Sequence, residues 1–257
     1  HYPLRRQRQM CIRDRINEKS GLYQDSSLQI AQMLSSLAKA EYLKDDSKGS
    51  HQEKFVEYID KKMESMKGFV VDFSVIKASY YEGIEDTDEA IDILEEVKES
   101  KSFNNDHRFY LAALYEKDKE FEKSTELVEQ IIEAEPTNAH AWNFLGYSLV
   151  ERGEKMDVAY EYLSKAIKLS PKDGYIRDSL GWYYYKIGKT KKALSELHVA
   201  IKSVPEDMSI NKHLAVIYTS MKRFDRARHY IKKAISTVQT ESERKELTQV
   251  LKELERN

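Results

Sequence analysis

The 257-residue chain has 1 cysteine, 4 prolines and 9 glycines, and each scarcity removes a class of protein. A single cysteine cannot close an internal disulfide, so a cross-linked miniprotein is excluded. So few glycines and prolines exclude collagen-like and low-complexity sequence. No window approaches the roughly 18 consecutive apolar residues of a membrane-spanning helix. Charge of one sign is lacking too: 42 Lys+Arg stand against 44 Asp+Glu, a net of −2, which offers nucleic acid no overall electrostatic footprint. Signatures of catalysis and of zinc or redox sites are missing, with no H-E-x-x-H, no G-x-S-x-G and no C-x-x-C. What remains is a chain that is 40% hydrophobic, rich in Glu, Lys, Leu and Ala, and long enough to bury a sizeable helical core.

The first fifteen residues, HYPLRRQRQMCIRDR, hold five arginines and one aspartate with no periodicity, and match nothing downstream. Met10 to Arg15 resembles a translated sequencing-adapter remnant, which makes residues 1–15 a non-native segment; the competing reading is a solvated basic arm. On the first reading Cys11 is foreign, the rest of the chain is more acidic, and the true N-terminus, with any signal peptide or lipobox, is missing.

Pro136, Pro171 and Pro205 lie 35 and 34 residues apart, the period of a helical-hairpin repeat. Residues 174–207 read Leu180-Gly181-x-x-Tyr184, Gly188, Ala193-x-x-x-Leu197-x-x-Ala200 and Pro205. Residues 139–173 read Trp142-x-x-Leu145-Gly146, Gly153, Ala159-x-x-x-Leu163-x-x-Ala166 and Pro171, with Leu149 where the next unit has Tyr184 minus one period, and one extra residue between Gly153 and Ala159. Residues 208–241 keep Leu214-Ala215-x-x-Tyr218, Phe224 and Ala227-x-x-x-Ile231-x-x-Ala234, with Gln239 replacing the proline. Residues 105–138 are a weaker copy, with Leu111-Ala112-x-x-Tyr115, Ser124-x-x-x-Val128-x-x-Ile131 and Pro136. Residues 71–104 are weaker again, with Lys77 at a core leucine position and Ser102 in place of proline. This pattern resembles the tetratricopeptide repeat. The resemblance implies an all-α, right-handed superhelical solenoid of stacked antiparallel helix hairpins.

Five units are therefore expected over 71–104, 105–138, 139–173, 174–207 and 208–241. Residues 16–70 form a degenerate helical region, with amphipathic runs Leu28 to Leu43 and Phe55 to Met66. Residues 242–257 form a capping helix bearing Leu247, Val250, Leu251 and Leu254 on one face. Small residues such as Gly146, Gly181, Ala159 and Ala193 are placed where paired helices must approach closely, and one hairpin alone cannot bury its apolar face.

Other chemistry is set aside on spacing. Gly188-Lys189-Thr190 imitates the end of a phosphate loop, but the glycine needed five residues earlier is Tyr183. His140, His198, His213 and His229 share no spacing and read as surface or groove polar residues. The acidic stretch Glu85 to Glu96 lacks the ligand alternation of a calcium loop. No catalytic residue, cofactor or metal is expected.

In the family the first helix of each hairpin lines the concave face. A stripe along each first helix then assigns a partner-binding groove to Phe109, His140, Asn143, Tyr147, Tyr175, Asp178, Trp182, Tyr185 and Lys212. The competing reading makes the aromatics interior packing. Alanine at Trp182 and Tyr185 is expected to weaken partner capture and spare the fold, whereas Gly181→Leu should unfold its repeat. Chaperone-binding members clamp a terminal carboxylate with Lys, Asn and Arg; the corresponding places here hold Asn143, Tyr147, Asp178 and Trp182, so that clamp is absent. Only Lys212 is a fixed cation in the stripe, which argues against nucleic acid.

The phrases Asn143-Phe144-Leu145-Gly146-Tyr147-Ser148-Leu149-Val150-Glu151-Arg152 and Asp178-Ser179-Leu180-Gly181-Trp182-Tyr183-Tyr184-Tyr185 look like a bacterial branch of the family. That branch includes outer-membrane lipoproteins that act as adaptors of periplasmic C-terminal-processing proteases and present cell-wall hydrolases to them. The resemblance implies a non-catalytic scaffold binding a protein or extended peptide, such as that protease or its substrates, in the periplasm or at the outer membrane. A cytoplasmic scaffold, and the targeting portion of a larger enzyme, are the alternatives.

Overall fold

The computed structural model describes residues 21–45, 49–238 and 241–256. The expected foreign segment with Cys11 and the proline-replacing Gln239 lie outside the described residues. These residues form thirteen α-helices and one short 3₁₀ turn, with no strand among them. The chain divides into two compact units, residues 1–107 and 108–257.

In the first unit α1 (Gly21–Asp45) and α2 (Ser50–Ser65) pair with each other, and Lys67–Phe69 turns the chain into α3 (Val70–Gly83) and α4 (Thr87–Glu95). Ala31 and Ala38 of α1, Phe55 and Ile59 of α2, and Phe73, Ala78 and Tyr80 of α3 are buried. The Phe55 and Tyr80 rings meet at 4.9 Å between centroids. Burial of its ring end pushes the Tyr80 phenol up to about 12. Lys77, at a core leucine position by the repeat, escapes burial of its charge by pairing with Asp60 at 2.9 Å, its stem covering apolar surface on the way. Asp86 caps α4 by accepting from the Glu89 N–H.

The second unit is built from α5 (Asn105–Lys117), whose first residues lie before the division, then α6 (Phe121–Ala134), α7 (Ala139–Arg152), α8 (Met156–Leu169), α9 (Gly174–Lys186), α10 (Thr190–Ser203), α11 (Met208–Ser220), α12 (Phe224–Thr237) and α13 (Glu241–Leu254). Helices α7 and α8, α9 and α10, and α11 and α12 pack as hairpins, and the first members α7, α9 and α11 lie side by side in turn. Leu163, Leu197 and Leu214 are fully buried between the paired helices, each contributing about 1.5–3 kcal/mol. At Gly181 a Cβ would stand 2.8 Å from Leu197 Cγ and 3.2 Å from the Ala193 carbonyl, so only hydrogen fits between α9 and α10. In the α5 and α6 pair, Ser124 replaces the alanine of the other units, and its hydroxyl donates to the Ala112 carbonyl at 2.8 Å. That bond keeps a buried hydroxyl satisfied. Leu247 and Leu254 of α13 are buried against α12 and close the apolar end of the stack.

Local sequence sets both ends of the hairpins. Asn138, Asp173 and Asp207 each stand two residues after a proline, and each side chain accepts from a first-turn N–H of α7, α9 or α11. Proline stops the preceding helix and the Asx cap starts the next. Between the two helices of each hairpin one residue takes a left-handed backbone: Glu85, Lys119, Gly153, Gly188 and Lys222, with φ from 56° to 76°. They recur every 34 or 35 residues, which makes the turn the most regular feature of the chain. The extra residue after Gly153 is absorbed by a second left-handed position, Lys155, just before α8.

Candidate protein-binding groove

Four first helices, α5, α7, α9 and α11, place the groove. Side chains spaced three and four apart share a helix face, so Asn143 and Tyr147 of α7, and Tyr175, Asp178 and Ser179 of α9, project toward one cavity. Its volume is about 360 Å³, and Phe109, His140, Phe144, Asp207 and Ser209 complete the lining. Six of the nine residues assigned to the groove by sequence line this cavity: Phe109, His140, Asn143, Tyr147, Tyr175 and Asp178. Phe109 meets Phe144 edge to face at 5.3 Å, forming one apolar wall. His140 is exposed and lies 3.5 Å from Asp173. Tyr175 is 48% exposed beside the α9 cap, the most open of the Phe and Tyr rings in the lining.

The three remaining residues sit elsewhere. Trp182 is 8% exposed, stacked on His213 at 4.1 Å and 12° and on Tyr185 at 5.1 Å. It is therefore packed between α9 and α11 and is not a free groove ring, and its removal would open a cavity instead of sparing the fold. Tyr185 is half-buried against that stack. Lys212 reaches Glu246 of α13 at 3.1 Å and is turned away from the groove lining.

Sequence reasoning missed His213. It is buried, not a surface or groove residue, and its Nδ1 lies 2.8 and 3.0 Å from the two carboxylate oxygens of Asp178. Burial raises the Asp178 carboxyl above the usual range, and the charge and hydrogen bond of His213 act against that rise. The legible signal was the separation of 35 residues: positions one period apart on first helices become neighbours when repeats stack. Tyr147 lies over the same cluster, 6.3 Å from the His213 ring, and its phenol is pushed up by burial and then by the carboxylates of Glu151, Asp178 and Asp207. Asn143 Oδ1 is buried without a hydrogen-bond partner.

A second cavity of about 360 Å³ adjoins the first across Phe144 and Tyr147, bounded by Glu116, Phe121, Ser148, Glu151 and Arg152. Ser148 donates to Glu116 there at 2.7 Å, and the Arg152 guanidinium lies 4.3 Å from the Phe121 ring centre. Among the described residues no group of three or more His, Cys, Asp or Glu is placed to hold a metal ion, and no helix is long and apolar enough to cross a membrane. The arrangement offers stacking surfaces and hydrogen-bond acceptors, the equipment of recognition.

Comparison with known proteins agrees with the helix-hairpin fold. Residues 139–173 and 213–237 match the tetratricopeptide repeat family. The chain is similar to a TPR repeat-containing protein of Pseudomonas aeruginosa, 42% identical over 84 residues, covering 33% of this chain and 14% of the relative. It is also similar to a TPR repeat-containing protein of Methanocaldococcus jannaschii, 27% identical over 187 residues, covering 68% of this chain and 32% of the relative. The matched regions thus span a third or less of those relatives' own lengths. Among solved structures, a thermophilic TPR protein of Thermus thermophilus superposes with a TM-score of 0.60 at 18% identity, over 70% of this chain and 96% of that one. Motif, period, hairpin geometry and likeness converge: residues 139–173 and 213–237 match tetratricopeptide repeats, and the described helices have the all-α fold of stacked antiparallel hairpins seen in solved TPR structures.

Proposed function

We propose that the chain is a protein-interaction scaffold that holds an extended segment of a partner in the cavity between α7, α9 and α11. The observation that carries this is the convergence of Phe109, Asn143, Tyr147 and Tyr175 on one open concavity. Rings supply stacking area at low entropic cost, and the buried, unpartnered Asn143 Oδ1 awaits a donor such as a peptide N–H. Panning a library of extended peptides against the protein tests the reading. Tight binders that compete with one another and are lost in Asn143→Ala with Tyr175→Ala support it. Binders unaffected by that pair refute it.

The finer proposal is an adaptor of a C-terminal-processing protease in the bacterial envelope, supported by the two phrases from Asn143 and from Asp178. A purified protease of that class should co-elute with the protein and degrade a cell-wall hydrolase faster in its presence. The alternative, that these repeats target a larger enzyme, is supported by the small share of the curated relatives' length that the chain covers.

A further inference from the structure

We infer that the groove selects a basic side chain, an arginine, within the partner segment; this rests on the peptide-binding reading above. The lining of the cavity contains no lysine or arginine. Its carboxylates are Asp178 and Asp207, with Glu151 close enough to act on Tyr147 and Asp178 together with Asp207. Asp178 is already paired with His213 and Glu151 lines the adjoining cavity, so the charge left to meet a ligand here is that of Asp207. One Asp207 oxygen accepts from the Ile210 N–H as the α11 cap.

A second observation points to a donor-rich ligand independently of the acids. Asn143 lines the same cavity with its Oδ1 buried and unpartnered, an acceptor that leaves a deficit until a donor arrives. The walls are aromatic: Phe109, Phe144, Tyr147 and Tyr175. A guanidinium satisfies all of these at once, because it is planar, stacks on rings, carries five donors and bears a charge that no lysine or arginine of the lining opposes. The space of about 360 Å³ accommodates such a side chain with the backbone that delivers it. A carboxylate-bearing partner would instead face Asp207 with like charge.

The test uses fluorescence anisotropy with three labelled Ser-Gly-X peptides of about twelve residues, X being Arg, Gln or Glu. The Arg peptide should bind about tenfold or more tighter than the Gln peptide, the increment of one charge-assisted hydrogen bond, and the Glu peptide weakest. In Asp207→Asn, which keeps an Asx cap on α11, the Arg and Gln peptides should converge while the melting temperature holds. Equal binding of Arg and Gln peptides to the native chain overturns the selection and leaves the peptide groove standing. Failure of all three to bind overturns both readings. An Arg preference that survives this substitution also overturns the proposal, since the cation then sits elsewhere.

Discussion

Gly181→Ala adds one methyl at the tightest point between α9 and α10, where its Cβ would lie 2.8 Å from Leu197 Cγ and 3.2 Å from the Ala193 carbonyl. Helix propensity favours the change by about 0.5–1 kcal/mol, but overpacking opposes it by about 1–3 kcal/mol, so a net loss of about 1–2 kcal/mol is expected. Leu197→Ala alone should lose about 2–5 kcal/mol, because Leu197 is fully buried. With that leucine gone the added methyl has room, so Gly181→Ala should become close to neutral, a coupling of about 1–2 kcal/mol. Gly188→Ala is the control. Its φ of 76° strains an alanine while nothing stands within 4 Å of the new Cβ, so it should lose about 1 kcal/mol and add to Leu197→Ala within about 0.5 kcal/mol. Urea titrations followed by far-UV circular dichroism on all five variants complete both cycles. Additivity of Gly181→Ala with Leu197→Ala would refute the steric account of the repeat's small residue.

Three further outcomes follow from the same geometry. Lys222→Gly should raise stability by about 0.5 kcal/mol in the same titration, because it removes a side chain from a left-handed turn at φ 56°. Trp182→Ala should lose about 3–5 kcal/mol from a ring stacked between His213 and Tyr185, whereas Tyr175→Ala should stay within about 0.5 kcal/mol by thermal melting. His213→Phe keeps a ring against Trp182 but leaves Asp178 buried and unpaired, losing about 3–5 kcal/mol near neutral pH. Burial already raises the Asp178 carboxyl and His213 opposes that rise, so the variant's carboxyl moves higher still. Protonation then favours the fold, and urea midpoints of this variant should recover as pH falls through the acid range; midpoints that fall instead would contradict the assignment.

The fold was legible because its determinants are local and periodic. Pro136, Pro171 and Pro205 mark helix ends, and Gly146 and Gly181 mark close contacts, whatever lies far away in sequence. The groove was half legible for a geometric reason. A stripe at helical spacing finds residues on the first-helix face, but not which of them the next repeat covers: Tyr175, near the open end of α9, remains exposed, while Trp182, two turns later, is covered by His213 of α11. Asp178 and His213 looked unrelated because their bond needs two units stacked in register. Asp207 closes a unit in the sequence and its groove place could not be read there, because that place depends on the cavity that α7 and α9 create beside it.

The turn after α7 carries a last consequence. Gly153 and Lys155 both adopt left-handed backbone around Glu154, and the inserted residue is used up before α8 begins, so Ala159 and Leu163 are buried as fully as Ala193 and Leu197 one unit on. Loop length is thereby uncoupled from the packing frame. Glu154 is exposed, which makes this turn the natural position to splice in an affinity tag without disturbing the stack on either side of it.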